Sequence, residues 1–286
     1  MIENAILDKI FSHYISDNEL QTIQSKLTKD LKKLNYSGRK IKLYYNNDIF
    51  IKIDTRTTDQ EKYIINNDSL LLGKFPKEIL INNILRKELP NNIVKIINYY
   101  FNSKTQIIIM ENTILTLEQL IKQLIKQKDI NIIDGICRQL FMILAILQEK
   151  FNFMHNDLLP RNILLRPTSK ELIEYTLDNK KYTLKTFGYI PILIDFATSG
   201  IHKMNGNMFS IYDTESLANK RTYKPNEYRW EVLDNNIYDP ALDLYYFIQH
   251  LDIDVPIIKQ YINQCHFYPK YSKDNPSAIQ FAKSAF

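Results

Sequence analysis

A chain of 286 residues, 45% hydrophobic and 24% charged, is long enough for one large two-lobed domain or two small ones with an ample core. A net charge of +5 is too weak and dispersed to argue for nucleic acid, and suits acidic protein surfaces or nucleotide phosphates equally well. With only Cys137 and Cys265 a disulfide framework is not expected, and a reducing, cytoplasmic interior is. Met1 leads into a charged amphipathic stretch rather than a secretory signal, and the longest pure apolar run, Leu140 to Leu147, is too short to span a bilayer, so no membrane is expected.

In chain order, residues 1–34 read as helix: Ile6, Ile10 and Tyr14, then Leu20, Ile23, Leu27, Leu31 and Leu34, recur at helical spacing. From Tyr36 to Asp54 the pattern changes to two strands around the turn Asn46-Asn47-Asp48. Helical periodicity returns from Lys74 to Leu89 through Ile79, Ile84 and Leu85. Residues 92–100 and 106–110 are strand-like, rich in β-branched side chains. From Leu117 to Phe151 the chain is mostly helical, and Ile136, Leu140, Leu144 and Leu147 mark a buried helix. Residues 175–189 resemble an inserted hairpin, while 200–225 show no clear periodicity. The expected architecture is α+β and bilobal: a helical extension (1–35), a small sheet-rich lobe (36–111), a hinge near Glu111, and a larger, mainly helical lobe (112–286).

Three segments carry chemistry-bearing residues in apolar frames. The first is His155-Asn-Asp157-Leu-Leu-Pro-Arg161-Asn162, followed by the strand-like Ile163-Leu-Leu165. The second is Pro191-Ile-Leu-Ile-Asp195-Phe-Ala197, an apolar run that ends on an aspartate. The third is Ile49-Phe-Ile-Lys52-Ile53, a strand holding one lysine, whose charge must find an anion if it is buried.

Together these segments resemble the eukaryotic-type protein kinase superfamily over most of residues 36–250, in the family's own order. The first matches the catalytic-loop pattern H-x-D-L-x-x-x-N, and the second occupies the place of D-F-G with Ala197 for the glycine. Divergent serine/threonine kinases of large DNA viruses resemble it most, through the insert Tyr182 to Asp195. The few residues after Asp243 and the residue usage of an AT-rich genome suit that likeness, which would put the protein in a host-cell cytoplasm or a virion. The resemblance implies ATP and Mg2+ as cofactors and a protein substrate, with no direct nucleic-acid binding. It assigns Asp157 to the acceptor hydroxyl, Asn162 and Asp195 to magnesium, and Lys52 to the phosphates.

Family spacing puts the glutamate partner of Lys52 near Ile81; Glu78, one helical turn earlier, is the best candidate. Met110 would back an adenine pocket, with the backbones of Glu111 and Thr113 bonding the base edge. Asp243, in Tyr238-Asp-Pro-Ala-Leu-Asp243-Leu, would support the catalytic loop's backbone.

The departures are as informative. No G-x-G-x-x-G is present, and Ser37-Gly38-Arg39-Lys40 stands where the phosphate-covering loop belongs, with Gly38 for the turn and Arg39 or Lys40 as compensating charge. Asn156 replaces the arginine that reads a phosphorylated activation loop. Leu159 replaces the usual serine/threonine-kinase lysine, and Arg161 could supply the missing cation. The nearest approximation to A-P-E is Lys224-Pro-Asn-Glu227. Three readings stay open: an active Ser/Thr protein kinase, a choline- or aminoglycoside-type small-molecule kinase, and a pseudokinase scaffold.

Overall fold

In the computed structural model of the chain, the described residues are 12–34, 41–55, 63–65, 68–70, 77–102, 104–113, 115–127, 130–204, 207–213, 240–251, 253–265 and 275–286. The first element among the described residues is helix α1 (Asp17–Thr28), whose Ser16 and Glu19 form a reciprocal capping box. Strands β1 (Lys32–Leu34), β2 (Ile41–Tyr45) and β3 (Ile49–Asp54) follow, then the short β4 (Tyr63–Ile65) and β5 (Asp68–Leu70). Helix α2 (Lys77–Glu88) precedes β6 (Ile96–Phe101) and β7 (Gln106–Glu111). The small lobe is built on an antiparallel sheet of order β1-β2-β3-β7-β6.

Alternation along β3 and β7 decides what faces what. Ile51 and Ile53, with Ile107 and Ile109, point to one face, where Leu20 of α1 is buried and Ile23 and Leu27 pack beside it. Ile108 and Met110 point to the other face and join the main core with Ile79, Ile84 and Leu85 of α2. Lys52 shares that second face, so strand period alone aims it at α2. The small lobe is thus a sheet between two helices.

The large lobe is arranged around α4 (Ile130–Phe151), which follows β8 (Leu115–Thr116) and α3 (Leu117–Gln127). By length and composition α4 could cross a bilayer, but 72% of its apolar window is buried inside the fold, as in a core helix. Phe141 meets Phe247 and Phe281 edge-on, with ring centroids 6.2 and 5.6 Å away. The polar residues of α4 fasten its neighbours. Gln139 donates to the Tyr189 carbonyl (3.0 Å), and Gln148 donates to that of Pro240 (2.8 Å). Asp134 accepts from the Ile257 amide (2.7 Å). Gly135 lets the Phe187 ring lie against the helix, where a Cβ would overlap it and push the ring aside.

Beyond α4 come β9 (Phe153–Met154), a 3-10 turn (Pro160–Asn162), β10 (Ile163–Pro167), the hairpin β11 (Leu172–Leu177) and β12 (Lys180–Lys185), and β13 (Tyr189–Leu193). Then follow β14 (Gly200–Met204), β15 (Asn207–Asp213) and helices α5 (Leu242–Leu251), α6 (Pro256–Ile262) and α7 (Ala278–Ala285). The result is an α+β architecture of two lobes, a sheet-rich one followed by a larger one.

Two expectations from periodicity are corrected. Of the helix read over residues 1–34, residues 1–11 lie outside the described residues, Tyr14 instead bridges Phe101, the helix spans Asp17–Thr28, and Lys32–Leu34 is a strand, because β2 offers it a ladder. The stretch from residue 200 contains the hairpin β14–β15, part of a sheet of order β5-β4-β15-β14-β9. β14 pairs locally with β15, and short ladders to β9 and β4 extend the sheet; neither strand carries the clean apolar–polar alternation that announces one.

His202 on β14 is buried, and burial pushes its imidazole down to about 4. The folded chain therefore binds that proton more weakly than the unfolded chain. The resulting stability is complete above the ordinary histidine pKa and is lost as pH falls from about 6.5 toward 4. Acidification from pH 7 to pH 5 should cost about 2 kcal/mol through this residue, and His202→Gln should remove that increment. Urea midpoints of both proteins at the two pH values check it; equal losses would place the effect elsewhere.

Candidate active site

Lys52 sits at the centre of the cleft face of β3. Its ammonium lies 2.8 Å from Glu78 Oε2 on α2 and 2.6 Å from Asp195 Oδ1, just beyond β13. Burial opposes the charge, but the carboxylates of Asp195 and Glu78 outweigh it and hold the amine's pKa above its ordinary value. The lysine is therefore a fixed cation facing the cleft. Glu78 occupies the place that family spacing puts near Ile81, and Ile81 is in the core.

Asp195 has φ +63°, a left-handed conformation that aspartate tolerates better than most residues. Among the described residues of the motif the positive φ falls on Asp195 and not on Ala197, so alanine can stand where the family has glycine. Phe196 is buried beside Phe153 and His155, which anchors the segment beneath the site.

The segment from His155 to Asn162 is held from below. Asp243, buried at the start of α5, accepts from the amides of His155 (2.6 Å) and Asn156 (2.9 Å). Asn156 has φ +62°, again a conformation open to asparagine. His155 Nε2 contacts the Ile194 carbonyl at 3.0 Å, tying the loop to the strand that ends at Asp195. At the loop's tip, Asn162 Nδ2 donates to the Asp157 carbonyl (2.8 Å) and to its Oδ2 (3.0 Å). The asparagine thereby fixes the aspartate and turns its own amide oxygen elsewhere. The Arg161 guanidinium lies 3.9 Å from the Asp157 carboxylate and is half exposed. Leu159 is buried and presents no charge.

The donors fit a magnesium ion arriving with a nucleotide. Asp195 supplies a carboxylate and Asn162 an amide oxygen, both hard ligands, and Mg2+ keeps waters and uses few protein groups. Among the described residues no cluster of three or more His, Cys, Asp or Glu forms a metal cage.

At the hinge, the Glu111 amide donates to the Lys95 carbonyl (3.0 Å), so a base edge could meet Glu111 only through its carbonyl. The Thr113 hydroxyl is buried without a partner among the described residues, as befits a group awaiting a ligand. The Glu111 carboxylate accepts from the Lys95 amide (3.0 Å) and from Arg166 on β10 (2.8 Å). This tie between the lobes was not foreseen, since strand residues far apart in sequence announce no pairing. Gly38, Arg39 and Lys40, with Lys224 to Glu227, lie outside the described residues.

No family model matches the chain. It is 47% identical over 64 residues to the uncharacterised protein ZK177.2 of Caenorhabditis elegans, covering 22% of each. It is 34% identical over 108 residues to the uncharacterised protein 098R of Invertebrate iridescent virus 6, covering 32% of this chain and 18% of that one. The chain thus spans about a fifth of the length of these curated relatives. Among solved structures it is similar to the kinase domain of PF14_0431, at 20% identity and TM-score 0.34, covering 62% of this chain and 53% of that one. It is also similar to WaaP in complex with acyl carrier protein, at 10% identity and TM-score 0.39, covering 66% and 73%. Likenesses this distant or this partial transfer no chemistry, which is read from the site itself.

Asp243→Ala should leave two loop amides without their acceptor and lower stability by about 2–4 kcal/mol. Asp243→Asn, which keeps one acceptor oxygen, should cost less. Denaturant unfolding of both variants checks this, and equal, negligible losses would mean that the loop is held by other contacts.

Proposed function

We propose that the chain is an ATP-dependent protein kinase that transfers the γ-phosphate to serine or threonine hydroxyls. The observation that carries this reading is the Lys52–Glu78–Asp195 cluster beside the Asp157–Asn162 pair, the two joined where the Ile194 amide donates to the Asn162 carbonyl (3.2 Å). Lys52, protonated and fixed, receives the nucleotide's phosphates. Thr113 and the Glu111 carbonyl receive the base. Asp195 and Asn162 would hold magnesium, which neutralises phosphate charge when bound.

Asp157 does the acid–base work. Its carboxylate, held by Asn162, orients the acceptor hydroxyl. As the hydroxyl oxygen bonds to the γ-phosphorus, the bond from that phosphorus to the bridging oxygen breaks, ADP leaves, and the hydroxyl proton passes to Asp157. Arg161 stands beside this carboxylate, where it can offset the charge on the moving phosphoryl group in place of the lysine that Leu159 replaces. The long segment between Asp195 and Asp243, part of it the β14–β15 hairpin, gives room for a polypeptide acceptor.

Leu159 favours one rival, a scaffold without catalysis, and the test separates the two. The protein is incubated with radiolabelled ATP and magnesium, with casein and basic proteins in one set and choline or aminoglycosides in another. Label on protein Ser or Thr is expected; label only on small molecules would move the substrate class, and none at all would leave a scaffold. Asp157→Ala should lower transfer by about a hundredfold to ten-thousandfold while sparing ATP binding. Asp195→Asn should lose both transfer and magnesium dependence, because an amide is a poor ligand for a hard cation. Arg161→Ala should slow turnover about a hundredfold with a smaller effect on ATP affinity. Normal turnover would make Arg161 a structural loop residue.

A further inference from the structure

Helix α2 carries Glu78, so anything that fixes α2 fixes the ion pair with Lys52. Its far end is well anchored. Asn82 donates to the Val94 carbonyl (3.0 Å) and Arg86 to that of Ile93 (2.6 Å). The same loop is bonded to the strand leading to Asp195, through Val94 to the Leu193 carbonyl (3.1 Å) and Leu193 to that of Asn92 (2.8 Å).

The near end opens on Lys77, 4% exposed, whose ammonium donates to the Ser199 carbonyl at 3.1 Å. A lysine buried at a helix start is costly unless its charge has a purpose there. Ser199 is itself enclosed, and it belongs to the segment that runs from Asp195 into β14. On its other side this segment is bonded to the catalytic loop. Asn156 Nδ2 donates to the Thr198 carbonyl (3.1 Å), while the hydroxyls of Thr198 (3.2 Å) and Ser199 (3.1 Å) both donate to the His155 carbonyl. The ladder of β14 on β9, Gly200 opposite Met154 and Ile201 opposite Phe153, continues the attachment. The acceptors of these four bonds are backbone carbonyls.

We propose that Lys77 is a positioning residue: with Asn156 it latches α2 and the segment after Asp195 to the catalytic loop, so that the Lys52–Glu78–Asp195 cluster is assembled without phosphorylation of that segment. The consequence for regulation rests on the kinase reading, but the latch itself does not. Asn156 occupies the place of an arginine that would read a phosphate, and its amide reaches a carbonyl of the same segment instead. Lys77 does the corresponding work from the small lobe, one residue before the glutamate it positions.

The test uses full-length protein treated with phosphatase, its mass checked for absence of phosphate, and needs no catalysis. Hydrogen exchange is followed at the amides of α2 and β14 in the wild type, Lys77→Met, Lys77→Arg and Asn156→Ala. The unphosphorylated wild type should be protected in both elements. Lys77→Met should speed exchange there about tenfold or more, with α4 unchanged. Asn156→Ala should loosen β14 in the same way, and Lys77→Arg, which keeps a charged donor, should remain near wild type. ATP affinity should fall with Lys77→Met and recover with Lys77→Arg. Exchange in Lys77→Met equal to wild type, an equal loss in Lys77→Arg, or an unprotected α2 in the dephosphorylated wild type would overturn the latch. A wild type that transfers no phosphate yet shows the expected exchange pattern would refute the kinase reading and leave the latch standing.

Discussion

An ammonium group taken out of water must be met by negative charge, and the arrangement of this site follows from that requirement at Lys52. β3 is a central strand, apolar on both faces, so a lysine there faces inward and has nowhere to place its charge but the cleft. Two carboxylates answer it, one from α2 and one from the end of β13. Removing either would leave a buried charge under-compensated, a loss commonly of several kcal/mol. Lys52 thus ties together β3, α2 and the segment after β13.

The same economy appears at the loop beneath. Asp243 satisfies two successive amides, one of them at a left-handed asparagine, and so stabilises a backbone shape that few residues adopt unaided. Asn162 then sets Asp157, and His155 links loop to β13. Beneath all of this lies α4, an apolar rod whose Asp134, Gln139 and Gln148 fasten neighbouring elements. The result is a rigid floor carrying a site made mainly of aspartates and asparagines. Such residues suit both the unusual backbone angles and the ligation of a hard cation.

How much of this could be read beforehand depended on distance along the chain. Asp157, Asn162 and Asp195 stood out in the sequence because they sit at short spacings within one loop or at one strand end. Lys52 was legible because a lone lysine in an apolar strand is a physical anomaly. Glu78 followed from helical geometry, since it shares a face with the expected position. Strands β14 and β15 were not legible, because neither carries a clean apolar–polar alternation, although they pair with each other as a hairpin. Lys77 was equally silent: its partner is a backbone carbonyl, which carries no side-chain signature. The ion pair of Glu111 with Arg166 links strands on opposite sides of the hinge, and only the fold brings them together.

The central claim is that Lys52 and Glu78 act as one unit in holding a nucleotide, and a double-mutant cycle tests it most directly. Magnesium-dependent ATP affinity is measured by calorimetry for the wild type, Lys52→Met, Glu78→Gln and the double variant. If the pair acts as a unit, each single change weakens binding and the double change adds little, giving a coupling of about 1 kcal/mol or more. Losses that simply add would show that the two residues serve the nucleotide independently, and would contradict the account.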